Sequence, residues 1–136
     1  MTKIAFERLV RADRGTVFCL ATDYARLAEL LPEYYPSVRV LSSRNGKTVT
    51  EEHRLLGGRE LVITARHTAE PPGLHRMDIL GGDAKGSRIT ERYEPATGGT
   101  MISIDADIRM GMRGLLSKGR ITDGLKDAID GLAGAA

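Results

Sequence analysis

For most of its length the chain alternates apolar and polar residues with a period of two; near its C-terminus the period lengthens to 3.6. Ile4 and Phe6, set against Lys3, Ala5 and Glu7, mark a first strand over residues 2–11. The clearest strand is the last. Its Ile102, Ile104, Ala106 and Ile108 alternate with Ser103, Asp105, Asp107 and Arg109. One face is apolar and the other wet, as in an antiparallel sheet covered on a single side. From about Lys118 onward, Ile121, Leu125, Ala128, Ile129 and Leu132 form one helical stripe, with Asp123, Lys126, Asp127 and Asp130 opposite. Such a helix suits the apolar face of the sheet. Gly119, Gly124 and Gly131 should each cost it roughly 1 kcal/mol relative to alanine. They imply close approach to the sheet, open volume beside it, or fraying.

Between these ends lie two short helices and a run of hairpins. Asp13 is placed to cap a helix carrying Val17, Leu20 and Ala21, and Asp23 to cap a second carrying Leu27, Leu30 and Leu31. Pro32 ends the second helix. A strand over 35–43 leads into Arg44-Asn45-Gly46-Lys47, whose Asn-Gly suits a type I′ turn. "VTEEHRLL", "RELVITARHTAEPP", "LHRMDIL", "RITERYEP" and "GTMISIDADIRM" follow as strands, punctuated by Gly57-Gly58, Pro71-Pro72, "GGDAKGS" and "ATGG".

The 136 residues fit one domain over 1–136, long enough to bury a core without staples. The charge is +2 with signs interspersed, and aromatics make up 4% with no Trp. That leaves neither the basic footprint nor the stacking platforms of a nucleic-acid binder. One cysteine excludes an internal disulfide and suits a cytoplasmic setting. No signal-peptide pattern and no membrane-length apolar run is present, so integral membrane association is not expected.

The stretch "ADRGTVFCLATDYARLAELLPEYYPSVRV" (12–40) resembles the opening pattern of the START-like, or SRPBCC, superfamily, and "GSRITERYEPATGGT" (86–100) is similar to its penultimate hairpin. The resemblance implies an α+β helix-grip fold: a curved seven-stranded antiparallel sheet, two short helices, and a long C-terminal helix over the concave face. It further implies a cavity between sheet and helix for a small hydrophobic ligand, whether lipid, isoprenoid quinone or polyketide-like. The two short helices would close one end of that cavity. Its motifs are structural rather than catalytic, and the fold hosts many activities.

Candidate chemistry centres on His53, His67 and His75 with Glu51 and Glu91. Alternation groups His53 with Val49, Glu51 and Leu55, and leaves the face through Arg54 and Leu56 as the competing inward choice. His67 goes with Leu61, Ile63 and Ala65, and His75 with Met77 and Ile79. An inward His and carboxylate could shuttle protons in an aldol-type cyclisation or a dehydration. Ordinary strand residues facing either way are the plainer reading. The histidines lack short ligand spacing such as HxxxH, so neither metal nor cofactor is expected.

Tyr35, Tyr93, Ile63, Met77, Ile104 and Leu125 complete the expected lining, and packing alone would equally explain the tyrosines. Arg66, Arg76, Arg88 and Arg92 read as a solvated convex face with Glu60, Asp78 and Thr90, or as an inward anchor for an anionic headgroup. "GGDAKGS" lacks the phosphate-loop pattern and reads as a mobile hairpin at the cavity mouth. Cys19 is expected on the apolar side of the first helix, and Met101, Met110 and Met112 in core or cavity wall. Three functions follow: a non-catalytic carrier, which the sequence favours; a cyclase, aromatase or dehydratase; and a partner-binding or chaperone-like module. Oligomeric state is left open.

Overall fold

The computed structural model describes residues 2–110 and 117–136. Seven antiparallel strands form one sheet: β1 (Thr2–Val10), β2 (Ser37–Arg44), β3 (Lys47–Leu56), β4 (Arg59–Glu70), β5 (Leu74–Gly82), β6 (Arg88–Ala96) and β7 (Gly99–Ile108). Their spatial order is β1-β7-β6-β5-β4-β3-β2, so β2 to β7 is a meander of hairpins and β1 closes on β7. Helices α1 (Arg14–Ala21) and α2 (Tyr24–Leu30) sit between β1 and β2, and α3 (Lys118–Ala135) follows the sheet. This is the helix-grip α+β architecture. Register shifts at Val40/Ser42 in β2 and Thr64/Ala65 in β4 add local bends to the sheet.

The caps behave as their chemistry dictates. The Asp13 carboxylate accepts from Thr16 N at 3.1 Å and opens α1. Asp23 precedes α2 without a side-chain bond of that kind. The backbone amides of Tyr34 and Tyr35 both donate to Leu31 O, so the chain is still turning there and β2 begins at Ser37, two residues after the expected start.

The core lies between the concave face and the helices. Alternate residues of β4 (Leu61, Ile63, Ala65) and of β7 (Ile102, Ile104, Ala106, Ile108) meet Ile121, Leu125, Ile129 and Leu132 of α3. Two glycines bring α3 close. A Cβ at Gly124 would lie 2.7 Å from Gly57 N, and one at Gly131 would lie 2.6 Å from Tyr34 Cε2. Close approach therefore accounts for these two positions, while Gly119 faces open space.

Several expectations change. Cys19 is exposed, because α1 buries Val17, Phe18 and Ala21, and a step of two from Val17 points away from that side. Met101 alternates with the buried Ile102 and so lies on the outer face of β7. Met110 packs against the core, and Met112 lies outside the described residues. The "GGDAKGS" segment is pinned rather than free. Val62 N donates to the Asp83 carboxylate at 2.9 Å, Arg109 N donates to Ser87 Oγ at 2.7 Å, and Ala84 and Ser87 are buried. None of its residues lines the cavity described below.

On the outer face Arg88 hydrogen-bonds Asp78 at 2.7 Å, and Arg76 and Arg66 lie 3.4 and 3.7 Å from the same carboxylate. These three arginines form the cross-strand convex network, not an inward anchor. Among the described residues no helix is long and apolar enough to cross a membrane.

Candidate functional site

A small cavity lies between α3 and the middle of the concave face. α3 supplies Leu125, Ala128, Ile129 and Leu132 to one wall. The opposite wall carries Met77, Ile89 and Ile104 and, among them, a polar band built from four neighbouring strands. Glu52 and Arg54 come from β3, His67 from β4, His75 from β5, and Glu91 and Tyr93 from β6. Tyr24 of α2 and Tyr35 close the side. The free volume is about 40 Å³. An engineered cavity of about 150 Å³ accepts benzene, so this space holds a few waters or a small polar molecule. A lipid or quinone chain needs α3 to move outward.

The polar residues form one unbroken chain. His67 Nε2 lies 2.6 Å from Glu52 Oε2, His67 Nδ1 lies 2.9 Å from His75 Nε2, and His75 Nδ1 lies 2.7 Å from Glu91 Oε1. Tyr93 donates its hydroxyl to Glu91 Oε1 at 2.9 Å, and Thr50 donates to Glu52 Oε2 at 2.5 Å. The two imidazoles are nearly parallel, 10° apart, and Tyr24 stacks on His67 with centroids 4.1 Å apart. Phe18 packs edge-on against the Tyr93 ring. All four imidazole nitrogens thus have protein partners.

Elementary valence fixes the proton content. Each of the three links along Glu52–His67–His75–Glu91 needs one hydrogen. With both carboxylates ionised, those hydrogens make the histidine pair a monocation. Burial pushes His67 down, against the hydrogen bond and charge of Glu52. His67 Nε2 carries the hydrogen to Glu52, and one hydrogen lies between His67 Nδ1 and His75 Nε2. Burial opposes the charge on Glu52, but the hydrogen bond and charge of His67, with Arg54 behind them, bring its carboxyl down to about 2. Glu91 is likewise held below its ordinary value: burial raises it, and the charge and hydrogen bond of His75 outweigh burial. Burial, then the Glu91 charge, lifts Tyr93 far above the usual phenol range, so it stays a donor.

Arg54 is the remaining charge. Its Nη2 donates to Tyr35 OH at 3.1 Å and its Nη1 reaches Met77 Sδ at 3.7 Å, while its Nε is 3.9 Å from Glu52 Oε1. The guanidinium also lies over the Tyr35 ring, 4.8 Å from its centroid.

Of the residues singled out from sequence, Tyr35, His67, Met77, Glu91, Tyr93, Ile104 and Leu125 line the cavity. Ile63 points inward but belongs to the packed core. Glu51 and His53 are corrected: they face outward, where Glu51 meets Arg39 at 3.3 Å and His53 lies 3.5 Å from Glu60. The inward face of β3 is the one through Glu52 and Arg54. The reason is register: Glu52 stands opposite Ile63 and Arg54 opposite Leu61, so they share the face of the apolar β4 residues. His75 joins the site as the middle of the chain. Sequence reasoning misses Tyr24, because nothing in a seven-residue helix marks one ring for stacking on a strand.

No protein-family model and no curated protein sequence matches the chain. Solved structures do match its fold. A Thermus thermophilus protein, TTHA0849, is similar at 17% identity and TM-score 0.76, over 98% of this chain and 93% of that one. Ginseng major latex-like protein 151 from Panax ginseng is similar at 10% identity and TM-score 0.79, over 98% and 95%. The Zhui aromatase/cyclase from Streptomyces sp. R1128 is similar at 16% identity and TM-score 0.65, over 98% and 87%. The chain therefore shares the helix-grip fold of these structures.

Proposed function

We propose that this protein binds a small carbonyl compound beneath α3 and carries out acid–base chemistry on it, of the cyclase or dehydratase kind. The observation that carries the reading is the hydrogen-bonded chain Glu52–His67–His75–Glu91 along the cavity wall. Arg54 and the Tyr35 hydroxyl would hold and polarise the carbonyl oxygen. Glu91 would take the proton from the adjacent carbon, since its Oε2 has no hydrogen-bond partner among the described residues. The same proton would return to a departing β-hydroxyl, giving an enone and water with no net proton consumed. Similarity to an aromatase/cyclase fold supports this choice of chemistry, though fold alone does not carry function.

The test uses 4-hydroxybutan-2-one and follows formation of butenone by ultraviolet absorbance. The wild type should exceed the buffer rate, and Glu91→Gln should return to it. Equal rates for wild type and variant would refute the assignment.

A non-catalytic carrier is the second reading. It is favoured by the apolar α3 wall of Leu125, Ile129 and Leu132 and by polar links that are satisfied without a ligand. Native mass spectrometry with extraction of co-purifying molecules separates the two readings: a stoichiometric apolar molecule recovered unchanged supports the carrier.

A further inference from the structure

Arg54 is a half-buried cation that lines the cavity with spare donors. A guanidinium has five N–H groups. Among the described residues its contacts are one hydroxyl, one thioether and a carboxylate oxygen beyond hydrogen-bond range. Tyr35 accepts from Arg54, which leaves its own O–H free to donate into the same space. Both side chains line the cavity. Such donors face the cavity, where an anionic acceptor would gain charge-assisted hydrogen bonds.

The charges sum to a definite total. Glu52 and Glu91 contribute two negative charges, and Arg54 and the singly protonated His67–His75 pair contribute two positive ones. Tyr24, Tyr35 and Tyr93 are neutral phenols, with burial the leading cause that raises each. The residues that α3 presents here, Leu125, Ala128, Ile129 and Leu132, carry no charge. The site by itself is thus neutral. An added anion unbalances it, and a proton restores the balance. Placing that proton on Glu91 Oε2 leaves every link of the chain intact. A second proton on the imidazoles would instead set N–H against N–H between His67 and His75.

We infer that the site also takes a small carboxylate-bearing molecule at Arg54 and Tyr35, and that its binding draws one proton into the Glu52–His67–His75–Glu91 chain. This inference rests on the proposed ligand site and names a second class of ligand for it. A proton-loaded Glu91 cannot take a proton from carbon, so a bound carboxylate occupies the carbonyl compound's place and holds Glu91 in its acid form.

The experiment is isothermal titration calorimetry of the full chain at pH 6 with butyrate and its neutral isostere butyramide, in MES and in bis-Tris. The two buffers differ in ionisation enthalpy, so the difference in observed heat counts protons. Butyrate should bind at least about tenfold more tightly than butyramide, because charge-assisted bonds to a guanidinium are the stronger kind. Uptake should be close to one proton per molecule bound, as linkage requires. Arg54→Met, shown folded by circular dichroism, should lose the preference for butyrate; Tyr35→Phe should weaken it less. Glu91→Gln should still bind butyrate but take up no proton.

Butyrate binding with no proton uptake, or equal affinity for the amide, overturns the inference. If both compounds fail while 4-hydroxybutan-2-one, the small neutral ketone of the activity test, still binds, the anion class falls and the cavity reading stands. If the ketone fails as well, the ligand site itself falls.

Discussion

His67 Nδ1 and His75 Nε2 lie 2.9 Å apart on adjacent strands, and one hydrogen must sit between them. Two nitrogens in contact tolerate neither zero hydrogens nor two. The link joins a carboxylate on each side into one buried device, so its members should not behave independently.

His67→Leu removes two links at once and leaves Glu52 buried without its main partner. Breaking a buried pair from one side costs about 3–5 kcal/mol. The Glu52→Leu, His67→Leu double variant should cost clearly less than the sum of the single changes. Urea unfolding of the four members of the cycle measures the coupling; strict additivity would contradict it.

Acid should weaken the fold in two stages. Burial holds His67 below its ordinary 6.5, so the unfolded chain takes that proton first and stability starts to fall below about pH 6.5. Glu52 sits at about 2 against an ordinary 4.5, so its contribution is complete above pH 4.5 and is lost as pH falls toward 2. That shift corresponds to roughly 3 kcal/mol. The urea midpoint measured from pH 6 to 3 should fall throughout, with Glu52→Gln flattening the stretch below pH 4.5.

The α3 glycines should respond in opposite directions to alanine. At Gly124 the new Cβ meets Gly57 N at 2.7 Å, and backbone there cannot yield, so Gly124→Ala should lower the melting temperature. Gly119 has nothing within 4 Å, so Gly119→Ala should gain up to about 1 kcal/mol from helix propensity alone. Thermal unfolding of the two variants side by side checks the contrast.

Leu125 is 6% exposed and stands between core and cavity. Leu125→Ala should cost about 2–5 kcal/mol and enlarge the cavity. The variant should take up benzene, seen as a rise in melting temperature on saturation, where the wild type responds less.

The order of elements is readable because each signal is local. Asn45-Gly46 turns the first hairpin, Pro32 ends α2, and the Ile102–Ile108 alternation has a single sensible inside. The inward face of β3 is harder, because "EEHR" places an acid and a base on both faces. Yet the information is present. Gly57-Gly58 as a two-residue turn pairs Leu56 with Arg59, and counting back pairs Arg54 with Leu61 and Glu52 with Ile63. The apolar face of β4 then assigns β3. Alternation within one strand cannot make that choice; register across the hairpin can. The stacking of Tyr24 on His67 and the near approach of Gly131 to Tyr34 depend on how separate elements dock, and no local pattern encodes that.

The polar chain crosses β3, β4, β5 and β6 at right angles to the strands. The β5–β6 ladder is short, pairing only Leu74–Asp78 with Arg88–Arg92, and the His75–Glu91 bond lies within it. In mechanical terms this is the seam where a sheet loaded sideways parts first, and here a rivet holds it. The rivet is made of protons, so the lateral strength of the sheet is set by the acidity of its surroundings and by whatever occupies the space above it.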